Sequence, residues 1–309
     1  MVNFSIGGFY LKSKELYFII EVLAQNNFKW LKDNYAITSV YGSFPNAIWS
    51  GGRSTIGFPW SMAKISKTIE YYNSKNIGIN FTFTNPLIEN KHLNDYYCNT
   101  LLEMANNEKN SIIINSDLLY EYIKKLNLKY KTIFSITRGI DNIEELKSYI
   151  KKFDFVVPPT NLLNQNDELF KQIDSSKLEM LVNEVCVVPD CKYKTKHYEI
   201  EAIRNMQLDK NIQQGFCSNK FKKKNINKYE NHLSSETISF YNKKYNISNF
   251  KFSGRAQPSG RFFEEFCRFL IKDEYKINFY NNVLYYYDMQ DNIVEFETPI
   301  LCLENNEPK

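Results

Sequence analysis

The sequence predicts an α/β chain folded as a TIM-like (β/α) barrel. Three observations carry this. Short apolar runs alternate with helix-period segments about every 30 residues, the mark of βαβ units and a parallel sheet. The runs are short and apolar, which suits strands buried on both faces. No glycine-rich fingerprint follows the first run, which argues against an open dinucleotide-binding sheet. The chain has 309 residues, 43% of them hydrophobic and 24% charged, which suits one barrel with a sizeable core.

The elements follow in order. Leu16, Ile19, Ile20, Leu23 and Phe28 fall at helical spacing and predict an amphipathic helix over 16–31. The first clear strand is Ala36–Tyr41. A turn, Gly42-Ser43-Phe44-Pro45, and a glycine-rich loop, IWSGGR, follow it. Gly51-Gly52 lets backbone come close to something there, and Arg53 could hold an anion, although a plain turn explains the same residues. Helices near 62–74, 94–106, 118–126, 143–152, 168–173 and 234–244 each precede a strand. Those strands are Gly78–Thr84, Ser111–Asn115, Lys131–Ile136, Phe153–Val157, Leu178–Val182 and Phe250–Phe252. That makes seven. The eighth comes from Met1–Phe9 or from the tail.

The tail alternates apolar and polar residues in NVLYYYDM and NIVEFETPIL. It predicts a small β-rich appendage over 276–309 after a barrel domain over 1–275. The stretch 190–231 is long, basic and poor in apolar periodicity. It reads as a cysteine-containing insertion after the sixth strand of this count, on the face where barrels keep their chemistry.

Composition narrows the function classes. A net charge of +4 does not by itself argue for nucleic acid, and the local cluster Lys220, Lys222, Lys223, Lys224 is a solvated loop by default. No apolar run approaches a membrane span, and the start has no positively charged segment followed by an apolar core. The expectation is a cytoplasmic protein, whose six cysteines are thiols or metal ligands rather than disulfides.

Polar residues stand directly after most strands: Thr84-Asn85, Asn115-Ser116, Thr137-Arg138-Gly139, Asn183-Glu184 and Ser253-Gly254-Arg255. In a barrel they converge on one mouth. Asn115-Ser116-Asp117 reads as a helix cap; Asn85, Thr137 and Arg255 have less obvious local jobs. No serine–histidine–aspartate order and no HExxH pattern is visible among three histidines. His92 and His232 read as surface residues, and His197 as a helix start or a site residue. Four cysteines, Cys186, Cys191, Cys217 and Cys267, could ligate an iron–sulfur cluster, since each iron takes a soft thiolate. Scattered buried thiols are the alternative. Cys98 and Cys302 read as structural.

Two segments together carry a family resemblance. NISNFKFSGR (246–255), with the helix after it, resembles the Gly-Arg strand of the collagenase-like peptidase family, unassigned peptidase family thirty-two. Cys186-x4-Cys191 with Tyr193 and Tyr198 resembles that family's cysteine segment, in the same order along the chain. The resemblance implies a TIM-type barrel. It also implies a 4Fe–4S cluster on Cys186, Cys191, Cys217 and Cys267, and oxygen-independent hydroxylation of RNA or a small ring. Lys251 and Arg255 match the basic pair of the motif. Ser253 stands where the family usually has Glu, and YGSFPNAIWSGGR and FTFTN are this chain's own, so a divergent branch is implied.

The leading expectation is therefore an iron–sulfur enzyme. Arg53, Lys251 and Arg255 would bind an anionic small-molecule or nucleic-acid substrate, and Asn85, Asn183 and Thr137 would orient it. The alternatives are a peptidase of the same fold, with Glu184, Glu264 or Glu265 as general base, and a non-catalytic barrel that partners a modifying complex.

Overall fold

The computed structural model describes residues 1–51, 59–140, 142–159, 167–183, 194–208, 233–253 and 259–292. Its centre is a sheet of eight parallel strands. These are β1 (Val2–Gly7), β2 (Tyr35–Gly42), β3 (Gly78–Phe83), β4 (Ser111–Ile114), β5 (Lys131–Phe134), β6 (Phe155–Val156), β7 (Glu179–Leu181) and β8 (Asn249–Phe252). The order β6-β5-β4-β3-β2-β1-β8-β7 puts β1 between β2 and β8, and a parallel bridge from Val156 to Leu178 joins the two ends. The sheet is thus a nearly closed TIM-like barrel. Met1–Phe9, one of the two candidates, supplies the eighth strand.

Strand residues alternate between two environments. Phe4, Ile6, Val40, Ile79, Phe81, Ile112, Phe134, Phe250 and Phe252 belong to a large core shared with the helices. Tyr41, Ile113, Ile133, Val157 and Leu181 form a smaller second cluster, the apolar layer inside the barrel. Beside that layer the interior is polar. Asn80 donates to Ser39 at 3.0 Å, the Asn3 and Asn249 amides meet at 3.2 Å, and Lys251 pairs with Glu179 at 3.1 Å. The expectation of strands apolar on both faces is corrected: their outer face is apolar, and much of their inner face is polar.

The outer layer is α1 (Ser13–Gln25), α2 (Met62–Ser74), α3 (Tyr96–Met104), α4 (Asp117–Lys125), α5 (Ile143–Lys152), the short α6 (Asp167–Phe170), α7 (Lys194–Asn205), α8 (Ser235–Tyr245), α9 (Ser259–Leu270) and α10 (Lys276–Asn292). Side-chain caps start many of them: Ser61, Asp95, Ser116, Asn142 and Ser234 each accept a backbone N–H three residues on. The expected cap at Asn115-Ser116-Asp117 is Ser116.

Two further expectations are corrected. The first helix stops at Gln25, not at residue 31, because Asn27 and Phe28 take left-handed backbone with φ of 50° and 59°. The ring of Phe28 still packs on the core after that turn. The predicted β-rich appendage is, through Asn292, the helix α10. Phe279, Val283 and the half-buried Tyr286 face the core at spacings of four and three, a helical period that local alternation hid. Residues 293–309 lie outside the described residues.

Candidate functional site

The strands point their C-terminal ends to one mouth. At the ends of β4 and β5 is a pocket of about 320 Å³ lined by Pro86, Asn115, Ser116, Asp117, Thr137, Arg138 and Tyr198. Its floor is a hydrogen-bonded chain. The Asn115 amide donates to Thr137 Oγ1 at 2.8 Å, and the hydroxyls of Thr137 and Ser135 are hydrogen-bonded to each other at 2.9 Å. Thr137 and Arg138 sit in a 3₁₀ turn, Ile136–Arg138, that ends in Gly139 with φ of 82°. Arg138 Nη1 donates to the Asn115 carbonyl at 3.2 Å and to Asp117 Oδ2 at 2.6 Å, and its guanidinium lies 5.4 Å from the Tyr149 ring.

Asp117 is held from its other side by Lys152 at 3.0 Å, which also reaches Glu121 at 3.2 Å. Burial alone would raise the Asp117 carboxyl. The hydrogen bonds and charges of Lys152 and Arg138 outweigh it, so the pKa falls below the ordinary aspartate value. Asp117 is a fixed anion here, not a proton carrier.

The helix α7 bounds the pocket through Tyr198. Its last residue, Asn205, is buried and donates to the carbonyls of Ala47 at 2.8 Å and Ser50 at 2.7 Å, which anchors that helix to the segment after β2. His197 is on α7, half-buried, with its ring 5.7 Å from that of Tyr198.

The other expected site residues divide into groups. Asn85 is fully buried; its amide donates to the Ile48 carbonyl at 2.6 Å and its Oδ1 accepts from Leu87 N at 2.8 Å. It ties the end of β3 to the loop after β2. Gly51 belongs to the same junction, since a Cβ there would collide with the Thr84 carbonyl and the Asn85 nitrogen. The close approach at Gly51 is to the chain's own backbone. Asn183, also fully buried, donates to the Ser253 carbonyl and to Glu265 Oε2, both at 2.7 Å, and accepts from Ser253 N at 2.6 Å. It fastens β7 to β8 and α9. Glu265 receives Arg261 as well, at 3.0 Å.

Lys251 is buried inside the barrel. Its ammonium lies 3.1 Å from Glu179 and 4.1 Å from the centre of the Tyr41 ring. Tyr41 stands two residues beyond Ser39, whose row on β1 and β8 holds Ser5 and Lys251, so this ring lies on the mouth side of the ammonium. Of the site residues expected from the sequence, Thr137 lines the pocket. Arg53, Glu184, Cys186, Cys191, Cys217 and Arg255 lie outside the described residues.

The expected 4Fe–4S cluster is corrected. Among the described residues no group of three or more histidine, cysteine, aspartate or glutamate side chains is placed to hold a metal ion. The fold gives a reason at Cys267. Helix α9 starts at the mouth, after β8, and ends at Leu270; Ile271 then bridges Leu31 at the far end of the barrel. Cys267 is eight residues down that helix, about 12 Å from its start at the usual rise. It packs against the core, and burial raises its thiol to about 11, away from a thiolate. Cys98 is a buried structural thiol, as expected.

Arg138 and Asp117 were not singled out by sequence reasoning. The available signal was Thr137-Arg138-Gly139 standing directly after a strand; the pairing with Asp117 needs the β4 and β5 ends side by side.

Fold and pocket together define a parallel (β/α) barrel with a polar site on the C-terminal face, the usual place for chemistry in that architecture. No protein-family model and no curated protein matches the chain. Among solved structures it is similar to one reported as the U32 peptidase Mk0906, with a TM-score of 0.51 and 11% identity over 82% of this chain and 93% of that one. At that identity the likeness is one of fold.

Proposed function

We propose that this chain is a peptidase-like barrel that binds a peptide at the mouth pocket and hydrolyses it there. The observation that carries the reading is the pocket itself: hydrogen-bonding groups on Asn115, Ser116, Thr137 and Arg138 converge on the C-terminal face of a barrel similar to that of a U32 peptidase. Hydroxyl, amide and guanidinium donors suit a peptide carbonyl and the oxyanion that forms when water attacks it. Asp117 and Lys152 would hold Arg138 and its turn in place. We assign the general base to Glu184, the carboxylate that follows Asn183 in the sequence. It would take the proton of the attacking water and pass it to the leaving amine.

The test is mass spectrometry of a peptide mixture incubated with the full chain. New peptide termini are expected with the native protein. Glu184→Gln should lower their rate of appearance by about a hundredfold or more while peptide binding persists. Unchanged peptides with a folded native protein would overturn the reading.

One observation favours a second reading, a non-catalytic barrel that holds a polypeptide partner. Among the described residues the pocket's Asp117 and the buried carboxylates each have a cation: Asp117 has Arg138 and Lys152, Glu265 has Arg261, Glu179 has Lys251, Glu15 has Lys12 and Glu201 has Arg204. Retained peptide binding without turnover would select it.

A further inference from the structure

We propose that the mouth pocket is a chain-end site, which takes the free C-terminal carboxylate of a peptide on the open edge of Arg138. The proposal rests on the pocket being the peptide site described above, and it names the part of the peptide that enters.

The guanidinium has two edges. Nη1 is committed to Asp117 and to the Asn115 carbonyl. No hydrogen bond joins Nε or Nη2 to any described residue, although the Tyr149 ring and the Asp117 contact fix the plane. A planar two-donor edge in a fixed orientation matches the two oxygens of a carboxylate. Thr137 and Ser116 add hydroxyls on the same lining. The charge of Asp117 is shared with Lys152, so it does not consume that of Arg138.

Two features select a carboxylate at a chain end over other ligands. Asp117 lines the same pocket, so a doubly charged phosphate would meet a carboxylate while finding one cationic edge; a singly charged group meets less repulsion. The volume of about 320 Å³ is at the small end for ligand sites, and α7 bounds it through Tyr198. A space of that size suits a terminal residue better than a chain several residues long, which adds roughly 3.3 Å per residue.

The experiment uses N-acetyl-trialanine and its C-terminal amide, titrated calorimetrically into the full chain. The free acid should bind about ten- to a hundredfold more tightly than the amide, the range for one charge-assisted pair. Arg138→Gln should erase that difference, with the acid losing more affinity than the amide. Arg138→Lys, which keeps the charge and loses the fork, should fall between. Circular dichroism melts establish that each variant is folded. Equal binding of acid and amide by the native protein, no binding of either, or a preference that survives Arg138→Gln would each overturn the proposal. Failure of peptide turnover would sink the peptidase reading and leave this result standing, and cleavage of amidated peptides at internal bonds with no acid preference would do the reverse.

Discussion

At the scale of single residues, the mouth is built by side chains that do two different jobs. Asn85 and Asn183 look alike in sequence to Asn115, each a polar residue just past an apolar strand. The first two spend their amides on neighbouring backbone and hold loops together, with Asn183 also meeting Glu265. Asn115 lines the pocket through the chain Asn115–Thr137–Ser135. Nothing local separates these roles, since any buried amide must find partners. Asp117 gives a prediction at this scale. Its folded pKa is lowered, so the stabilisation from its ion pairs is complete above the unfolded aspartate value, about 3.9. That stabilisation is lost as pH falls through the folded pKa. Asp117→Asn should therefore flatten the acid limb of a stability-against-pH curve, measured by urea melts. An acid limb identical to the native one would show that the Arg138 and Lys152 pairs contribute nothing.

At the scale of elements, period decided what was readable. The helix over 62–74 and the helix over 143–152 have the bounds that their spacing predicts, because a serine or asparagine cap and an apolar stripe agree there. The tail misled because Tyr285, Tyr286 and Tyr287 fill a run in which an alternating and a helical pattern both score. The helix α10 resolves it by burying Phe279 and Val283 and leaving Tyr280 and Tyr285 exposed. Phe279→Ala should cost about 3–5 kcal/mol of stability, whereas Tyr280→Ala should cost about 0.5 kcal/mol or less. Denaturant unfolding of the two variants checks this. Equal effects would mean that α10 does not present this face to the barrel.

At the scale of the whole molecule, the barrel interior carries an ion pair that no strand announces. Lys251 and Glu179 are both buried, lie on neighbouring strands, and have Tyr41 against the ammonium. Gly7 leaves the space that the Tyr41 ring fills, since a Cβ there would collide with it. Removing one partner strands a charge. Lys251→Met should destabilise by about 3–5 kcal/mol, and adding Glu179→Leu should recover most of that loss. Chemical denaturation of the single and double variants measures it, and a double variant no more stable than Lys251→Met would show the pair is not the source. Lys251, expected from the motif resemblance to bind an anionic substrate, pairs in the structure with Glu179 within the barrel.

The sequence by itself determined the fold class, seven strands in order with the eighth as one of two choices, most helices, and the polar residues at the strand ends. It could do so because strand burial, helix period and capping are local patterns. Only the tertiary structure decided which strand-end residues share the pocket, which serve as clamps, and where Cys267 lies. These depend on neighbours such as Asn183 and Glu265, 82 residues apart along the chain. A cysteine's spacing does not say which end of its helix faces the mouth. The direction of α9, from the end of β8 to the bridge at Leu31, does.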